Sequence, residues 1–274
     1  MHLFALIALT MCAFAANSVL SRAGIDAFGM DPIGFSGVRL AAGAGMLGVL
    51  VAVRGGWPDM NRARIITAGS LLVYLVPFSI AYLTLPSGVG ALILFGVVQI
   101  TMFAGSALAG ARPSPRQWVG MSIAMMGLAW LLWPSDTLRL DGRGVLFMIL
   151  SGISWGVFSL RGRGSRDPLG DMALSFGVLI PFAVALIVLG SGWSWEGVAL
   201  AAVAGAVTSG LGYALWYRVL PQIAATTGAV AQLSVPVIAI IAGALFLAEA
   251  ITLDVVVASV VVLGGIAVAV LKRA

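Results

Sequence analysis

Side chains able to do covalent or metal chemistry are few and scattered in this sequence. It has one histidine, His2, and one cysteine, Cys12. A histidine cluster for a metal and an intrachain disulfide are therefore both excluded. Gly152-Ile-Ser154-Trp-Gly156 has the letters of a nucleophile elbow. That motif needs a sharp strand-to-helix turn and a base. Here it lies in an apolar run, and His2 is a poor base for it. Gly43-Ala-Gly45-Met-Leu-Gly48 spells a dinucleotide fingerprint, but no strand precedes it. Neither a P-loop nor His-Glu-x-x-His occurs. No catalytic residue, cofactor site or metal site is expected. What remains is non-covalent recognition by hydroxyls, amides and rings.

Such groups interrupt the apolar runs at intervals. They are Asn17; Tyr74, Phe78 and Tyr82; Gln99; Trp155; Tyr213 and Tyr217; Gln232 and Ser234. Residues four apart share a helix face, so the Tyr74, Phe78 and Tyr82 rings form one stripe. Polar groups in hydrocarbon need a partner or a water-filled cavity. These ten are the candidate substrate-binding residues. Together they suggest an aromatic pocket with sparse hydrogen bonds, suited to a small amphipathic organic solute. Tyr74 and Tyr82 would equally suit an aromatic belt, and Gln99 and Gln232 would suit structural bonds between helices. Trp57, Trp118, Trp133, Trp193 and Trp195 fall near expected membrane interfaces, where such rings collect.

Five further residues are candidates for gating or structure. Arg39 lies inside an apolar segment, where it either snorkels or pairs near the outer face or meets a substrate carboxylate; the structural or gating role is favoured. Pro77, Pro181 and Pro236 each remove a backbone bond inside a span and are hinge candidates. Glu249 is the one acid read as membrane-embedded, at shallow depth. Acids in spans often mark proton relays. With no central carboxylate, facilitated diffusion or exchange stands beside proton coupling.

The composition says what must position these groups. Of 274 residues, 61% are hydrophobic and 9% charged, and the mean hydropathy is +1.10. Soluble domains are roughly 25% charged, so a soluble enzyme, a disordered chain and a fibre are excluded. The fold expected is an all-α polytopic membrane protein. Apolar segments near 3–21, 33–53, 65–82, 87–108, 117–134, 144–160, 170–189, 197–217, 222–247 and 252–271 suggest ten transmembrane helices. The first follows His2 with no basic leader and reads as a retained helix. The net charge of +5 reads as loop bias rather than a nucleic-acid surface. Arg54, Arg62, Arg64, Arg112, Arg116, Arg161, Arg163, Arg166, Arg218, Lys272 and Arg273 fall on one side, and Arg22, Arg139 and Arg143 on the other. Positive residues favour the cytoplasmic side, which places both termini there.

The polar stretch Pro134–Gly142 divides the spans five and five. The expected units are a first half, 1–135, an external linker, 136–142, and a second half, 143–274. An odd number of spans per half inverts the second, an arrangement common in secondary transporters. Traces of a repeat remain. Phe78-xxx-Tyr82-xxx-Pro86 matches Tyr213-xxx-Tyr217-xxx-Pro221, and Asp31-Pro32 matches Asp167-Pro168. Gln99 pairs with Gln232 in the same way. The expected whole is two inverted five-helix repeats around a central cavity.

Pro236-Val-Ile-Ala-Ile-Ile-Ala-Gly-Ala-Leu-Phe-Leu247-Ala-Glu249 followed by Gly264-Gly265 resembles the end of a half-repeat in the drug/metabolite transporter superfamily. The likeness covers essentially the whole chain and is to the bacterial branch of ten-helix metabolite exporters. In the first half Gly110 stands where the glutamate is expected. Asn17 and Trp155 match the opening helices of the two halves. The aromatic-rich middle and missing first glutamate look most like the amino-acid exporters, including the aromatic amino-acid exporter. The resemblance implies a bacterial inner-membrane protein. It would export amino acids or similar metabolites by alternating access, with membrane lipid and the solute as its partners. Alternatives are a drug or other metabolite transporter of different direction or coupling, and a non-transporting structural membrane module.

Overall fold

A chain crossing hydrocarbon must satisfy its backbone polar groups internally, and a helix does so within one segment. The computed structural model describes residues 2–56, 62–133, 139–162, 165–219, 222–223, 228 and 231–270, without the side chains of 62–64, 66, 162 and 217. Its regular elements are all helical. They are α1 (His2–Arg22), α2 (Pro32–Arg54), α3 (Arg62–Ala81), α4 (Ser87–Leu108), α5 (Pro115–Leu132), α6 (Gly142–Gly162), α7 (Pro168–Val178) and α8 (Ile180–Leu189). There follow α9 (Trp195–Val203), α10 (Gly212–Val219), α11 (Ser234–Leu247) and α12 (Leu253–Val270). A π-helical turn, Ala23–Ala27, extends α1, and a longer one, Ala204–Leu211, joins α9 to α10.

Helix starts follow side-chain chemistry. The orphan N–H of Gly34 donates to Asp31 Oδ2 at 3.0 Å, and that of Gly170 to Asp167 Oδ1 at 3.0 Å. Each cap is followed by a proline, a residue suited to the first helical turn. The two Asp-Pro pairs noted in the sequence thus open α2 and α7 alike. Ser114 and Gln117 form a capping box at α5.

Among the described residues, six helices are long and apolar enough to cross a membrane, and the α7–α8 pair makes a seventh if its 44° bend lies within one span. Ten crossing helices were expected from the apolar segments. The seventh segment is broken at Leu179, between α7 and α8. Within the described residues the third contributes the apolar stretch Thr67–Ala81 and the ninth the 14-residue α11, each under the roughly 20 residues of a full span. α5, which opens on Pro115-Arg116-Gln117, is not among the six. The chain is an all-α polytopic membrane protein.

α6 packs between α3 and α4, while α1 packs against the 204–211 turn, α10 and α11. α2 meets α7, α8 and the 204–211 turn, and α3 meets α7. α5 and α12 run together. Gly120 faces the backbone of Gly265 and Ala269, so close that a Cβ would lie 2.5 Å from Ala269 N. Small residues permit such helix approach. Trp118, Trp133, Trp193 and Trp195 are exposed on the surface, as belt residues should be; Trp57 lies outside the described residues.

Candidate functional site

The stripe on α3 becomes a wall because α6 and the 204–219 segment bring more rings to it. Trp155 lies 4.9 Å from Tyr74 and stacks on Tyr213 at 5.3 Å and Phe158 at 5.3 Å, centroid to centroid. Phe14 of α1 approaches Tyr213 at 5.8 Å. These rings border a cavity of about 1050 Å³. Asn17, Tyr74, Phe78, Gln99, Trp155, Tyr213 and Gln232 all line it. The cavity therefore draws side chains from both expected halves.

Two candidates lie elsewhere. Tyr82 is fully buried beyond Phe78, edge-on to it at 4.9 Å, and its hydroxyl donates to the Ser87 carbonyl at 3.4 Å. Ser234 opens α11, and its hydroxyl donates to the Ala231 carbonyl at 2.6 Å. The Tyr217 side chain lies outside the described residues. The sequence reading passed over Phe14, Met102, Phe103 and Phe158, all of which line the cavity. Their apolar types give no signal distinct from packing.

The cavity runs to one side of the protein. Its other lining residues include Arg112 and Pro113 in the α4–α5 turn, Gln117 in the first turn of α5, Ser165 and Pro168 at the start of α7, and Ala269 and Val270 at the end of α12. The opposite helix ends are tied together. Both Ser87 N and Ser87 Oγ donate to the Glu249 carboxylate, at 2.7 and 2.7 Å at their nearest. Arg22 Nε stands 3.8 Å from Glu249 Oε1, and Arg22 Nη1 donates to the Tyr82 and Leu83 carbonyls at 2.9 and 3.0 Å. Glu249 follows Ala248, which ends α11 in the left-handed conformation with φ 53°. Asp31 N donates to the Gly192 carbonyl at 3.1 Å on the same side.

The hinge candidates have different settings. Pro77 lies within α3. Pro181 is in the first turn of α8, directly after the break at Leu179. Pro236 is in the first turn of α11.

Arg39 is completely buried. Its guanidinium donates to Ser209 Oγ at 3.4 Å and to Tyr74 Oη at 3.3 Å. It also lies 4.8 Å from the Phe78 ring centroid and 5.8 Å from that of Tyr74. The π-helical turn sets Thr208 and Ser209 side by side, and both donate to Asn17 Oδ1, at 2.6 and 3.3 Å. The pair was not among the sequence candidates; the visible signal was two adjacent hydroxyls between Gly205 and Gly210 in an apolar run.

A polytopic helical protein with a ring-lined cavity reaching one face has the build of a secondary transporter for small solutes. The EamA-like transporter family profile matches residues 142–271. A Pseudomonas aeruginosa protein, PA1977, is 41% identical over 97% of this chain and 93% of its own length. The chain belongs to the EamA-like transporters of the drug/metabolite superfamily, a family of membrane transport rather than catalysis. The threonine/homoserine exporter RhtA of Escherichia coli is 25% identical over 64% of this chain and 59% of its own. A crystal structure with 17% sequence identity superposes over 97% of this chain and 96% of its own with a TM-score of 0.67, which shows a common fold.

Proposed function

We propose that the protein exports amino acids or similar small metabolites from the cytoplasm by alternating access across a bacterial inner membrane. The observation that carries this reading is the cavity itself, lined from both proposed halves and bordered, among the described residues, by the helix ends near Arg112, Ser165 and Val270. Its mouth lies beside Arg112, on the arginine-rich side, which supports a cytoplasmic opening under the positive-inside rule. The Glu249–Ser87–Arg22 cluster is then the outer seal. Both termini are cytoplasmic in this orientation.

The architecture is proposed as two inverted five-helix repeats, 1–135 and 143–274, joined by an external linker at 136–142. Packing supports it. Exchange α1 with α6, α2 with α7–α8, α3 with α9–α10, α4 with α11 and α5 with α12. The α3–α6 contact then becomes α9–α10 with α1, α4–α6 becomes α11–α1, and α2 with α9–α10 becomes α7–α8 with α3. All of these contacts occur. Opposed rocking of such halves is a common route to alternating access.

Asn17, Tyr74, Phe78, Gln99, Trp155, Tyr213, Tyr217 and Gln232 are proposed to bind the solute, with Tyr82 and Ser234 behind them. Amino-acid specificity draws support from the RhtA likeness. The test is efflux from proteoliposomes with a panel of labelled amino acids. Trp155→Ala should lower flux of every transported solute by about tenfold, the scale of a lost aromatic contact. Unchanged flux would place the site elsewhere. The size of the cavity favours one second reading, a larger amphipathic metabolite or drug. Competition by such compounds, with no amino-acid flux, would select it.

A further inference from the structure

Arg39 is a fully buried cation, and no ion pair is made to it among the described residues. Its Nη1 has no hydrogen-bond partner in that set. Burying a charge is costly unless it is paired and hydrogen-bonded. The charge stands directly behind the cavity wall. Its Nη2 donates to Tyr74 Oη, so the Tyr74 hydroxyl keeps its own proton to give. On the other flank Asn17 has its oxygen engaged by Thr208 and Ser209, and the group it has left is an NH2 donor. Tyr74 and Asn17 both line the cavity. Among the described lining residues there is no acid, and Arg112 is a second cation near the mouth. Donors backed by an unpaired positive charge recognise an anion. The adjacent Trp155, Tyr213 and Phe78 rings offer apolar surface to whatever carries it.

We infer that the transported solute bears a carboxylate, which accepts from Tyr74 Oη and Asn17 Nδ2 and takes Arg39 as its countercharge, with an apolar or aromatic body against Trp155. Arg39 acts through Tyr74 and is a positioning residue. The inference rests on the cavity being the transport site. It narrows the solute to an amino acid or an organic monocarboxylate and excludes an amine.

The test uses full-length protein in detergent and four probes on one carbon skeleton: phenylalanine, phenylalaninamide, phenethylamine and 3-phenylpropionate. Binding is read as thermal stabilisation. The two carboxylates should bind, and the amide and amine should bind at least tenfold more weakly, as expected for a lost hydrogen bond to a charged group. Arg39→Gln should erase that preference, and Arg39→Lys should restore part of it. Tyr74→Phe leaves the guanidinium in place and decides the matter should Arg39→Gln fail to fold; it should reduce the preference for carboxylate over amide several-fold. Equal binding of acid and amide, no binding of either carboxylate, or an unaltered preference in Tyr74→Phe would overturn the inference. So would stabilisation by chloride over gluconate with no response to phenylpropionate, which would mark a site for an inorganic ion. Proteoliposome flux separates the two readings. Carboxylate binding with no amino-acid flux defeats the amino-acid proposal alone. Amino-acid flux with no carboxylate preference defeats the anchor alone.

Discussion

Glu249 receives the Ser87 amide and hydroxyl and faces Arg22, so its carboxylate joins α11 to the start of α4 and the end of α1. Glu249→Gln keeps one acceptor oxygen and loses the charge. The expected cost is about 1.5–3 kcal/mol, the range for hydrogen bonds to a charged group, read as lower thermal stability. The flux response to an imposed pH gradient should not change, since the role proposed for this cluster is an outer seal. Loss of gradient-driven flux with counterflow intact would make Glu249 a coupling residue instead. Asp141, outside the spans, has its acidity set by a cap. The Gly144 amide above all, with help from Thr84 and Arg143, holds its carboxyl below the usual range. A depressed carboxylate stabilises the fold above its unfolded pKa of about 3.9, and that contribution is lost as pH falls through the lower folded value. The stability gap between wild type and Asp141→Ala should therefore be constant near neutrality and shrink below about pH 4; a gap that closes at pH 6 would refute this. At this scale the sequence shows types but not partners. Glu249 stood out through Leu-x-Glu, yet Ser87 lies 162 positions away. Arg39 stood out as a charge in an apolar run, while its partners come from α3 and from a turn 170 positions on.

Helix contacts carry their own test because neighbouring glycines differ. A Cβ at Gly265 would lie 2.5 Å from Ala124 N, whereas one at Gly264 meets open space. Gly265→Val should destabilise by about 1–3 kcal/mol through overpacking, and Gly264→Val should stay within about 0.5 kcal/mol as a surface change. Thermal unfolding of the two purified variants decides it; equal losses would mean that α5 and α12 do not pack through this face. Most spans could be read from sequence because a run of apolar residues bounded by Asp-Pro or arginine admits one solution in lipid. The exceptions have local causes. The bend at Leu179 falls inside Met172–Leu189, where hydropathy is uniform and Pro181 alone hints at a break. The π-helical turn at 204–211 is marked in the sequence only by two hydroxyls between Gly205 and Gly210, and nothing there shows that they meet Asn17.

At the scale of the whole molecule the decisive property is asymmetry of access. The helix ends near Glu249, Arg22 and Asp31 are joined by hydrogen bonds, while those near Arg112, Ser165 and Val270 border the cavity. A resting state of this kind exposes the cavity to one compartment. Two single-cysteine variants in a Cys12→Ser background test it, Met102→Cys within the cavity and Arg112→Cys at its mouth. Inside-out vesicles should allow a membrane-impermeant thiol reagent to label both, and right-side-out vesicles should protect both. The pair separates two failures. If both label only from the periplasmic side, the topology is the reverse of the one the arginines indicate. If Arg112→Cys labels from the cytoplasm and Met102→Cys from the periplasm, the orientation stands and the populated state in the membrane is outward-facing. Saturating substrate should then slow Met102→Cys labelling without affecting Arg112→Cys, because a solute held against Trp155 and Gln99 shields the depth of the cavity and leaves its mouth open. Equal protection of both positions would mean that the protein closes at the mouth on binding, so that occlusion precedes opening of the Glu249 seal.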